Sequence, residues 1–417
     1  MACDHCATTW PADRHATACT DCGSLLEVVH ARPDVDAATL AERFAARRFA
    51  ATATHDRSGV WRFRELVMPD SAAPVTWPEG NTPLVERDAV REFTGVRRLS
   101  LKHEGMNPTG SFKDRGMTVA VTDAVRCGAR AVACASTGNT AASLAAYAAH
   151  ARIPALVLVP RGNVAAGKLA QATAYGARTL LVNGDFDACL TLARDASRTL
   201  GVYLANSVNP WRLEGQKTIV WELLEQLEWR PPDWIALPAG ALGNTAAFGK
   251  ALREARALGL ITTVPRILAV QAAGAAPFAR GFAHGFTDRV TVRAETVATA
   301  IRIGDPASWD RAVRTIRETD GIVTMVTDSD IMEAKAVLDG SGVGCEPASA
   351  ASVAGVRALA ERGVIASDAH VVCVLTGHVL KDPDAVSSYH AGDSKRANPP
   401  IQVEPTLDEV ERVLRAT

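Results

Sequence analysis

Short apolar runs alternate along the chain with longer stretches in which apolar residues recur every three or four positions. The short runs predict β-strands, and the longer stretches predict amphipathic helices. The predicted strands are 98–102, 131–134, 155–158, 179–182, 234–237, 267–270 and 370–375, and the predicted helices are 37–54, 113–128, 140–151, 165–175, 186–199 and 244–257. This alternation favours an α/β fold with parallel sheets that are covered by helices on both faces.

The first thirty residues do not follow this pattern. They contain two C-x2-C pairs, Cys3 with Cys6 and Cys19 with Cys22. Two closely spaced thiolate pairs suit a tetrahedral zinc ion that replaces a missing hydrophobic core, and the filled coordination shell predicts a structural role. The alternatives are a coincidental set of cysteines in a disordered tail, or a redox pair, although neither pair opens a helix in a βαβ unit.

Composition narrows the classes of function. The chain has 417 residues, 45 of them basic and 46 acidic, which is enough for two domains and gives no strongly basic or acidic surface. No apolar run approaches the roughly 20 residues of a membrane span, and the N-terminus does not read as a secretory signal. The other five cysteines lie in apolar stretches, as buried thiols do in a reducing compartment. We therefore expect a cytoplasmic protein that binds neither nucleic acid nor membrane.

Two polar segments at predicted helix starts are candidates for chemistry. Lys113 follows a Gly-Ser turn at the start of a predicted helix, where the helix dipole and neighbouring donors lower the pKa of an amine and favour its neutral form. Residues 136–140 (Ser-Thr-Gly-Asn-Thr) lie between a strand and a helix and could seat a carboxylate or phosphate. An ordinary helix cap is the alternative for that segment, but a cap needs only one such residue.

Two further segments follow predicted strands. Residues 240–245 are small enough to let the backbone approach a phosphate, although a plain turn would look the same. Thr376 could offer its hydroxyl to a ring nitrogen. His378 is a possible catalytic group, but a lone histidine is more often a packed or surface residue.

With these segments, the chain resembles the threonine synthase family of fold-type II pyridoxal-phosphate enzymes. The resemblance extends from about Gly80 to Pro383 and rests on ordered matches at 102–117, 136–140, 206–217, 298–304, 346–349 and 376–383. It implies two doubly wound parallel-sheet domains, a pyridoxal 5′-phosphate cofactor and a homodimer. The implied organisation is a zinc-ribbon-like module over 1–30 and a catalytic region over 31–417, with a smaller inserted α/β subdomain at about 115–215.

The resemblance also implies roles for individual residues. Lys113 would bind the cofactor as a Schiff base and then transfer protons. The cofactor contacts would be Asn139 beside the phenolic oxygen, Thr376 facing the pyridine nitrogen, and Gly240, Ala241, Leu242, Gly243 and Asn244 around the phosphate. The substrate contacts would be Ser136, Thr137, Gly138 and Thr140 for the carboxylate, and Asn206, Ser207 and Arg212 for the substrate phosphate.

The implied reaction is that of a carbon–oxygen lyase, which converts O-phospho-L-homoserine and water into L-threonine and phosphate. Two departures from the family pattern keep the substrate open. Ala241 stands where the family has an asparagine, and a lost donor typically costs about 1–3 kcal/mol. His378-Val379 replaces an Asn-Gly.

The alternative is therefore an enzyme with an altered substrate, such as β-replacement on O-phosphoserine in the manner of cysteate synthase, or formation of an unusual amino acid. Arg212 favours a phosphorylated amino acid in each case. A binding protein that has lost catalysis is disfavoured by the presence of Lys113, Asn139 and Thr376.

Overall fold

The computed structural model describes residues 1–12, 16–51, 53–71, 73–162 and 166–416. Its strands are β1 (Ala2–Cys3), β2 (Leu26–Glu27), β3 (Leu84–Val85), β4 (Arg98–His103), β5 (Ala131–Ala135), β6 (Ala155–Pro160), β7 (Arg178–Val182), β8 (Val202–Leu204), β9 (Trp234–Pro238), β10 (Arg266–Ala272), β11 (Ile322–Val326) and β12 (His370–Leu375).

The α-helices lie between and after these strands. They are α1 (Ala37–Phe49), α2 (Arg64–Val67), α3 (Asp88–Thr94), α4 (Lys113–Arg126), α5 (Asn139–Ala151), α6 (Ala166–Ala174), α7 (Phe186–Thr199), α8 (Pro210–Gln216), α9 (Thr218–Gln226), α10 (Gly243–Ala257), α11 (Pro277–Ala283), α12 (Trp309–Glu318), α13 (Asp328–Gly340), α14 (Pro347–Glu361), α15 (Pro383–His390) and α16 (Leu407–Ala416).

Two of the sheets are built from parallel strands. The larger has six strands in the order β11-β10-β9-β12-β4-β3, and only β3 at its edge runs antiparallel. The smaller has four parallel strands in the order β7-β6-β5-β8. The predicted α/β class with parallel sheets is confirmed, and the antiparallel edge is an addition to it.

Helices cover both faces of the smaller sheet. Along β5, Val132 and Cys134 pack into one apolar cluster with residues of α5, while Ala133 packs into a second cluster with residues of α7. All five residues of β5 are buried, which is why this strand reads as a continuous apolar run rather than an alternating one. The same holds for β9 in the larger sheet.

Most predicted elements are found within two residues of their expected bounds, but α1 is shorter. The helix expected over 37–54 ends at Phe49. In the remainder of that range, residue 52 lies outside the described residues, and Thr54 begins a separate 3-10 turn. For the helix expected over 165–175, residue 165 lies outside the described residues, and the helix runs over Ala166–Ala174. Residues 395–400 form a largely exposed segment without helix or strand.

None of the helices in the described ranges combines the length and the apolar character that crossing a membrane requires.

Candidate active site

A cavity of 820 Å³ lies where the carboxyl ends of strands from both large sheets meet. Loops that follow β4, β5, β8, β9 and β12 supply most of its wall, as expected for ligand sites in parallel sheets. The predicted residues that line it are Lys113, Ser136, Thr137, Gly138, Asn139, Thr140, Asn206, Ser207, Gly240, Ala241, Leu242, Gly243, Asn244, Thr376 and His378. The structure thus brings together five segments that are far apart in the sequence.

Lys113 is the first residue of α4, and the turn before it is held in place by hydrogen bonds. Asp114 accepts from the Thr109 hydroxyl at 2.6 Å and from the Thr109 N–H at 2.7 Å. The Phe112 N–H donates to the Thr376 carbonyl at 3.0 Å, which ties the lysine to the loop after β12. Because both loops are fixed to each other, the amine of Lys113 has a defined position in the cavity.

The pKa of Lys113 is lowered to about 7, chiefly by burial and then by the positive charge of Arg212, while Glu346 opposes the shift. The direction agrees with the sequence-based expectation. The main causes are withdrawal of the amine from water and the nearby charge of Arg212. A large share of this lysine is neutral near neutral pH, as a nucleophilic amine must be.

Two helices begin at the cavity without a side-chain cap. The N-cap residue of α5 is Gly138 and that of α10 is Leu242, and neither side chain accepts a hydrogen bond from its helix. In α1, α7 and α13, by contrast, Asp36, Asp185 and Thr327 cap the first turn. The free N–H groups at the starts of α5 and α10 therefore face the cavity as two seats for anions.

The loop before α10 is shaped by close backbone packing. A Cβ on Gly240 would stand 3.0 Å from the Cα of Ile301, so a side chain there would require this backbone to shift. Leu242 adopts a left-handed conformation with φ of 65°, which is uncommon for a residue with a side chain. The buried Asn244 Oδ1 and Thr245 Oγ1 have no hydrogen-bond partner among the described residues.

Arg212 is the one predicted substrate contact that the structure does not bring to the cavity wall. Its guanidinium is buried, donates through Nη1 to the Ala205 carbonyl at 3.1 Å, and leaves Nε and Nη2 without partners in the described chain. Burial lowers the pKa of Arg212 to about 10. The arginine thus lies behind the wall as a buried positive charge.

Asn206 lines the cavity, but its amide is largely used within the protein. Its Oδ1 accepts from the Ala135 N–H and its Nδ2 donates to the Ala135 carbonyl, both at 3.0 Å. These bonds fix the end of β5 just before residues 136–140. Only the second N–H of Asn206 is left for a ligand.

His378 also lines the cavity, and its ring is oriented by the backbone. Its Nδ1 accepts from the Leu380 N–H at 3.2 Å. Burial, followed by the charge of Lys381, lowers the pKa of His378, so the ring is neutral near neutral pH. Lys381 in turn donates to Gln171 on α6, across the cavity.

Sequence reasoning assigned no role to Glu346, which the structure places in the cavity wall. The residue lies just before Pro347 at the start of α14, where an acidic residue normally reads as a helix cap. Nothing in the local sequence distinguishes a glutamate that caps a helix from one that belongs to the active site.

The four N-terminal cysteines converge on one point. Their sulfur atoms lie within 4.8 Å of one another. Cys3 and Cys22 are 3.4 Å apart, and Cys6 and Cys19 are 3.7 Å apart. Tetrahedral zinc with Zn–S bonds of about 2.3 Å requires sulfur separations of about 3.8 Å. The N–H groups of His5 and Asp21 donate to Cys3 and Cys19.

Comparison with known proteins agrees with this arrangement. The family model described as "Pyridoxal-phosphate dependent enzyme" matches residues 75–377. The chain is 44% identical to threonine synthase of Methanosarcina acetivorans over 93% of both chains. It is 41% identical to threonine synthase of Methanocaldococcus jannaschii over 99% of this chain and 98% of the relative.

Threonine synthase from Escherichia coli has the same fold, with a TM-score of 0.66 over 95% of this chain and 89% of its own, at 19% identity. The chain belongs to the pyridoxal-phosphate dependent enzymes and, within them, to the threonine synthase family.

The cavity fits the cofactor of this family. The uncapped start of α10, with Gly240 in tight backbone packing just before it, suits a phosphate group. Lys113 supplies an amine with a lowered pKa in the same cavity. Asn139 and Thr376 place an amide and a hydroxyl along the wall, where the edges of a flat ring would need partners.

Proposed function

We propose that the protein converts O-phospho-L-homoserine and water into L-threonine and phosphate. The observation that carries this proposal is the 44% identity with a threonine synthase over 93% of both chains. The cavity supports it, because it combines a lysine with a lowered pKa, an anion seat at the start of α5 for a substrate carboxylate, and a second seat at the start of α10 for the cofactor phosphate.

Residues of this chain would hold the cofactor as follows. The start of α10, from Gly240 to Asn244, would bind its phosphate, and Lys113 would bind it covalently. Asn139 would lie beside its phenolic oxygen and Thr376 beside its ring nitrogen. When bound, pyridoxal phosphate supplies an electron sink for the pair left when a proton leaves Cα.

Lys113 would carry out the proton transfers. An amine with a pKa of about 7 can accept a proton and return it at nearly equal cost near neutral pH. In the net reaction the Cγ–O bond breaks and phosphate leaves with the electron pair. Cβ loses one proton and takes the hydroxyl from water, Cγ gains one proton, and the remaining proton of water goes to the released phosphate, so that atoms and charge balance.

Two groups of residues would orient the substrate. Its carboxylate would lie at the start of α5, against Ser136, Thr137, Gly138 and Thr140. Its phosphate would lie toward Ser207 and the remaining N–H of Asn206. Arg212 would favour binding of this anion through the positive charge that it places behind the wall, where burial strengthens electrostatic attraction.

A second candidate is β-replacement on O-phospho-L-serine. It is favoured by one observation, namely that Ala241 and His378, the two departures from the family pattern, both lie in the cavity wall. A shorter substrate would place its phosphate differently and could do without the asparagine that Ala241 replaces.

Substrate competition separates the two candidates. The value of kcat/KM is measured for O-phospho-L-homoserine, and for O-phospho-L-serine in the presence of sulfite as nucleophile. We expect the first value to exceed the second by about 100-fold or more. The A241N variant, which restores the family's donor, should change KM for O-phospho-L-homoserine more than kcat. A preference for O-phospho-L-serine would replace the first candidate with the second.

We further propose that Cys3, Cys6, Cys19 and Cys22 bind structural zinc in a module over residues 1–30. The catalytic region would occupy 31–417, with an inserted subdomain at about 115–215, and the parallel four-stranded sheet lies within that range. The protein would act as a cytoplasmic homodimer without nucleic-acid or membrane partners. The free thiols in its interior support a reducing compartment.

A further inference from the structure

Glu346 holds the N-cap position of α14, but its carboxylate does not cap that helix. The side chain turns into the cavity instead. Its Oε2 accepts from Asn139 Nδ2 at 2.9 Å, and its Oε1 accepts from the Thr376 hydroxyl at 3.3 Å. Within the described chain it is the only acidic side chain that lines the cavity.

The carboxylate of Glu346 is buried without an ion-pair partner, in contrast to two other buried glutamates, Glu104 and Glu222. Glu104 and Glu222 pair directly with Arg115. The titratable groups that act on Glu346 are Lys113 on α4, Lys381 in the turn after β12, and the adjacent Cys345. Burial raises the pKa of Glu346, and Asn139, Lys381, Lys113 and Thr376 offset only part of that shift. A buried carboxylate without an ion-pair partner lowers the stability of the fold.

The backbone opposite leaves room for this carboxylate. A Cβ on Gly377 would stand 2.5 Å from Oε1 and 2.7 Å from Oε2 of Glu346. The N–H of Glu346 donates to the Gly377 carbonyl at 3.0 Å. The reason for glycine at 377 is therefore the close approach of the Glu346 carboxylate. The backbone conformation is not the reason, because the φ of Gly377 is not positive.

We propose that Glu346 is a positioning residue for the reaction, which sets the direction of the hydrogen bonds made by Asn139 and Thr376. By accepting from Nδ2, it fixes the Asn139 amide so that the second N–H of the same nitrogen remains for the cavity. This inference rests on the proposed function, in which Asn139 and Thr376 contact the cofactor.

The effect on Thr376 depends on the charge of Glu346. An ionised carboxylate accepts a hydrogen bond from the Thr376 hydroxyl, so this hydroxyl can act only as an acceptor toward a ligand. A protonated carboxyl can donate to Thr376 and free its hydroxyl as a donor. Ser349, whose hydroxyl is 3.0 Å from that of Thr376, completes a chain that can run in either direction.

The charge of Glu346 also bears on Lys113. A negative charge in the same cavity favours the protonated form of the Lys113 nitrogen. Burial and the charge of Arg212 have the opposite effect. Replacing the carboxylate by an amide removes this effect while the side chain keeps almost the same shape.

The test is a pH titration of the visible absorbance of the purified, cofactor-loaded enzyme without substrate. The variants are E346Q, which removes the charge, and E346D, which keeps the charge but shortens the reach. The matched control is E361Q at the exposed opposite end of the same helix. Phosphate release from O-phospho-L-homoserine is measured in parallel.

We expect E346Q to lower the pH midpoint of the absorbance change by about one unit. Its kcat should fall by about 10- to 100-fold, with a smaller change in KM. E346D should keep a midpoint nearer the wild-type value, and E361Q should match wild type in every measurement. An unchanged midpoint in E346Q, with cofactor fully bound, would overturn the inference.

Two provisions keep the test decisive. If E346Q does not fold, as judged by circular dichroism, G377A displaces the same carboxylate from the opposite side and should shift the midpoint in the same direction. If the wild-type protein releases no phosphate from O-phospho-L-homoserine, the proposed function fails, but the titration still decides the role of Glu346.

Discussion

Lys113 and the charges around it determine the chemistry that this cavity can support. Burial and Arg212 lower the pKa of the lysine to about 7, and Glu346 acts against them. Within the described chain, Arg212 lacks hydrogen-bond partners for two of its nitrogens, and Glu346 is in no ion pair. These three residues thus form a set of partly uncompensated charges, which is the condition often found at active sites.

The lowered pKa of Lys113 predicts how the cofactor-free protein captures pyridoxal phosphate. Only the neutral amine reacts, so the rate of capture should rise about tenfold per pH unit below pH 7 and level off above about pH 8. The increase in visible absorbance after mixing measures this rate. R212M should move the plateau to higher pH, whereas R130M, at an exposed position, should not. A wild-type rate that keeps rising steeply above pH 9, as for an ordinary lysine, would contradict the prediction.

At the level of single residues, the sequence predicts the cavity residues that belong to recognisable motifs. Lys113, Asn139 and Thr376 all lie in the cavity, as expected from their motifs. Two positions could not be predicted. The guanidinium of Arg212 lies behind the cavity wall, where it donates to the Ala205 carbonyl. The local sequence around Glu346 suggests a helix cap, whereas its hydrogen-bond partners are 207 and 30 residues away in the chain.

The helix that begins at Lys113 is anchored through a buried ionic network. Arg115 donates to Glu104 at 2.7 Å and to Glu222 on α9 at 2.8 Å. Lys102 on β4 donates to Glu222 at 2.6 Å. Because all four side chains are fully buried, the network fixes α4 against α9 and the larger sheet.

Removing one member of this network should destabilise the protein strongly. E222A leaves buried Lys102 without its ion-pair partner and Arg115 with Glu104 alone, and we expect a loss of about 3–5 kcal/mol in the free energy of unfolding. Urea denaturation measures it, with E228A at an exposed position as control. A loss no larger than that of the control would show that the network does not hold α4 in place.

The same network predicts sensitivity to acid. Although burial opposes ionisation, Arg115, Lys102 and Arg62 hold the pKa of Glu222 well below its ordinary value. A carboxyl with a lowered pKa stabilises the fold above its unfolded pKa of about 4.3 and loses this contribution as the pH falls below it. E222A should therefore lose less stability than wild type between pH 5 and pH 3.

Buried polar residues also explain which elements the sequence did not reveal. The fully buried strands β5 and β9 were predicted because they are apolar throughout. Helices α8 and α9 were not, since Arg212, Glu214 and Glu222 are buried on them and break the apolar periodicity. Strand β3 has only two residues and gives no pattern to read.

On the scale of the whole molecule, ionic contacts join the first thirty residues to the rest of the chain. Asp4 pairs with Arg311, and Glu27 pairs with Arg314 at 3.0 Å. His30 lies 2.5 Å from Glu214 on α8, the helix that also carries Arg212. The sequence predicted the cysteine cluster from its spacing, but it could not predict this docking, because the partners are hundreds of residues apart.

Loss of metal from the cysteine cluster should weaken this docking. We expect C6S to contain less zinc than wild type by elemental analysis and to have a Tm lower by several degrees, because bound metal contributes directly to the stability of such a module. C127S, which changes a cysteine outside the cluster, should keep both properties. Equal zinc content in C6S and wild type would exclude Cys6 as a ligand.

The most direct test of the proposed reaction follows heavy oxygen from labelled water. If the protein breaks the Cγ–O bond and adds water at Cβ, the threonine formed from O-phospho-L-homoserine will carry the label and the released phosphate will not. The K113A variant should form neither product. Labelled phosphate together with homoserine would mean that the P–O bond is hydrolysed instead, and would contradict the assignment of this protein as a carbon–oxygen lyase.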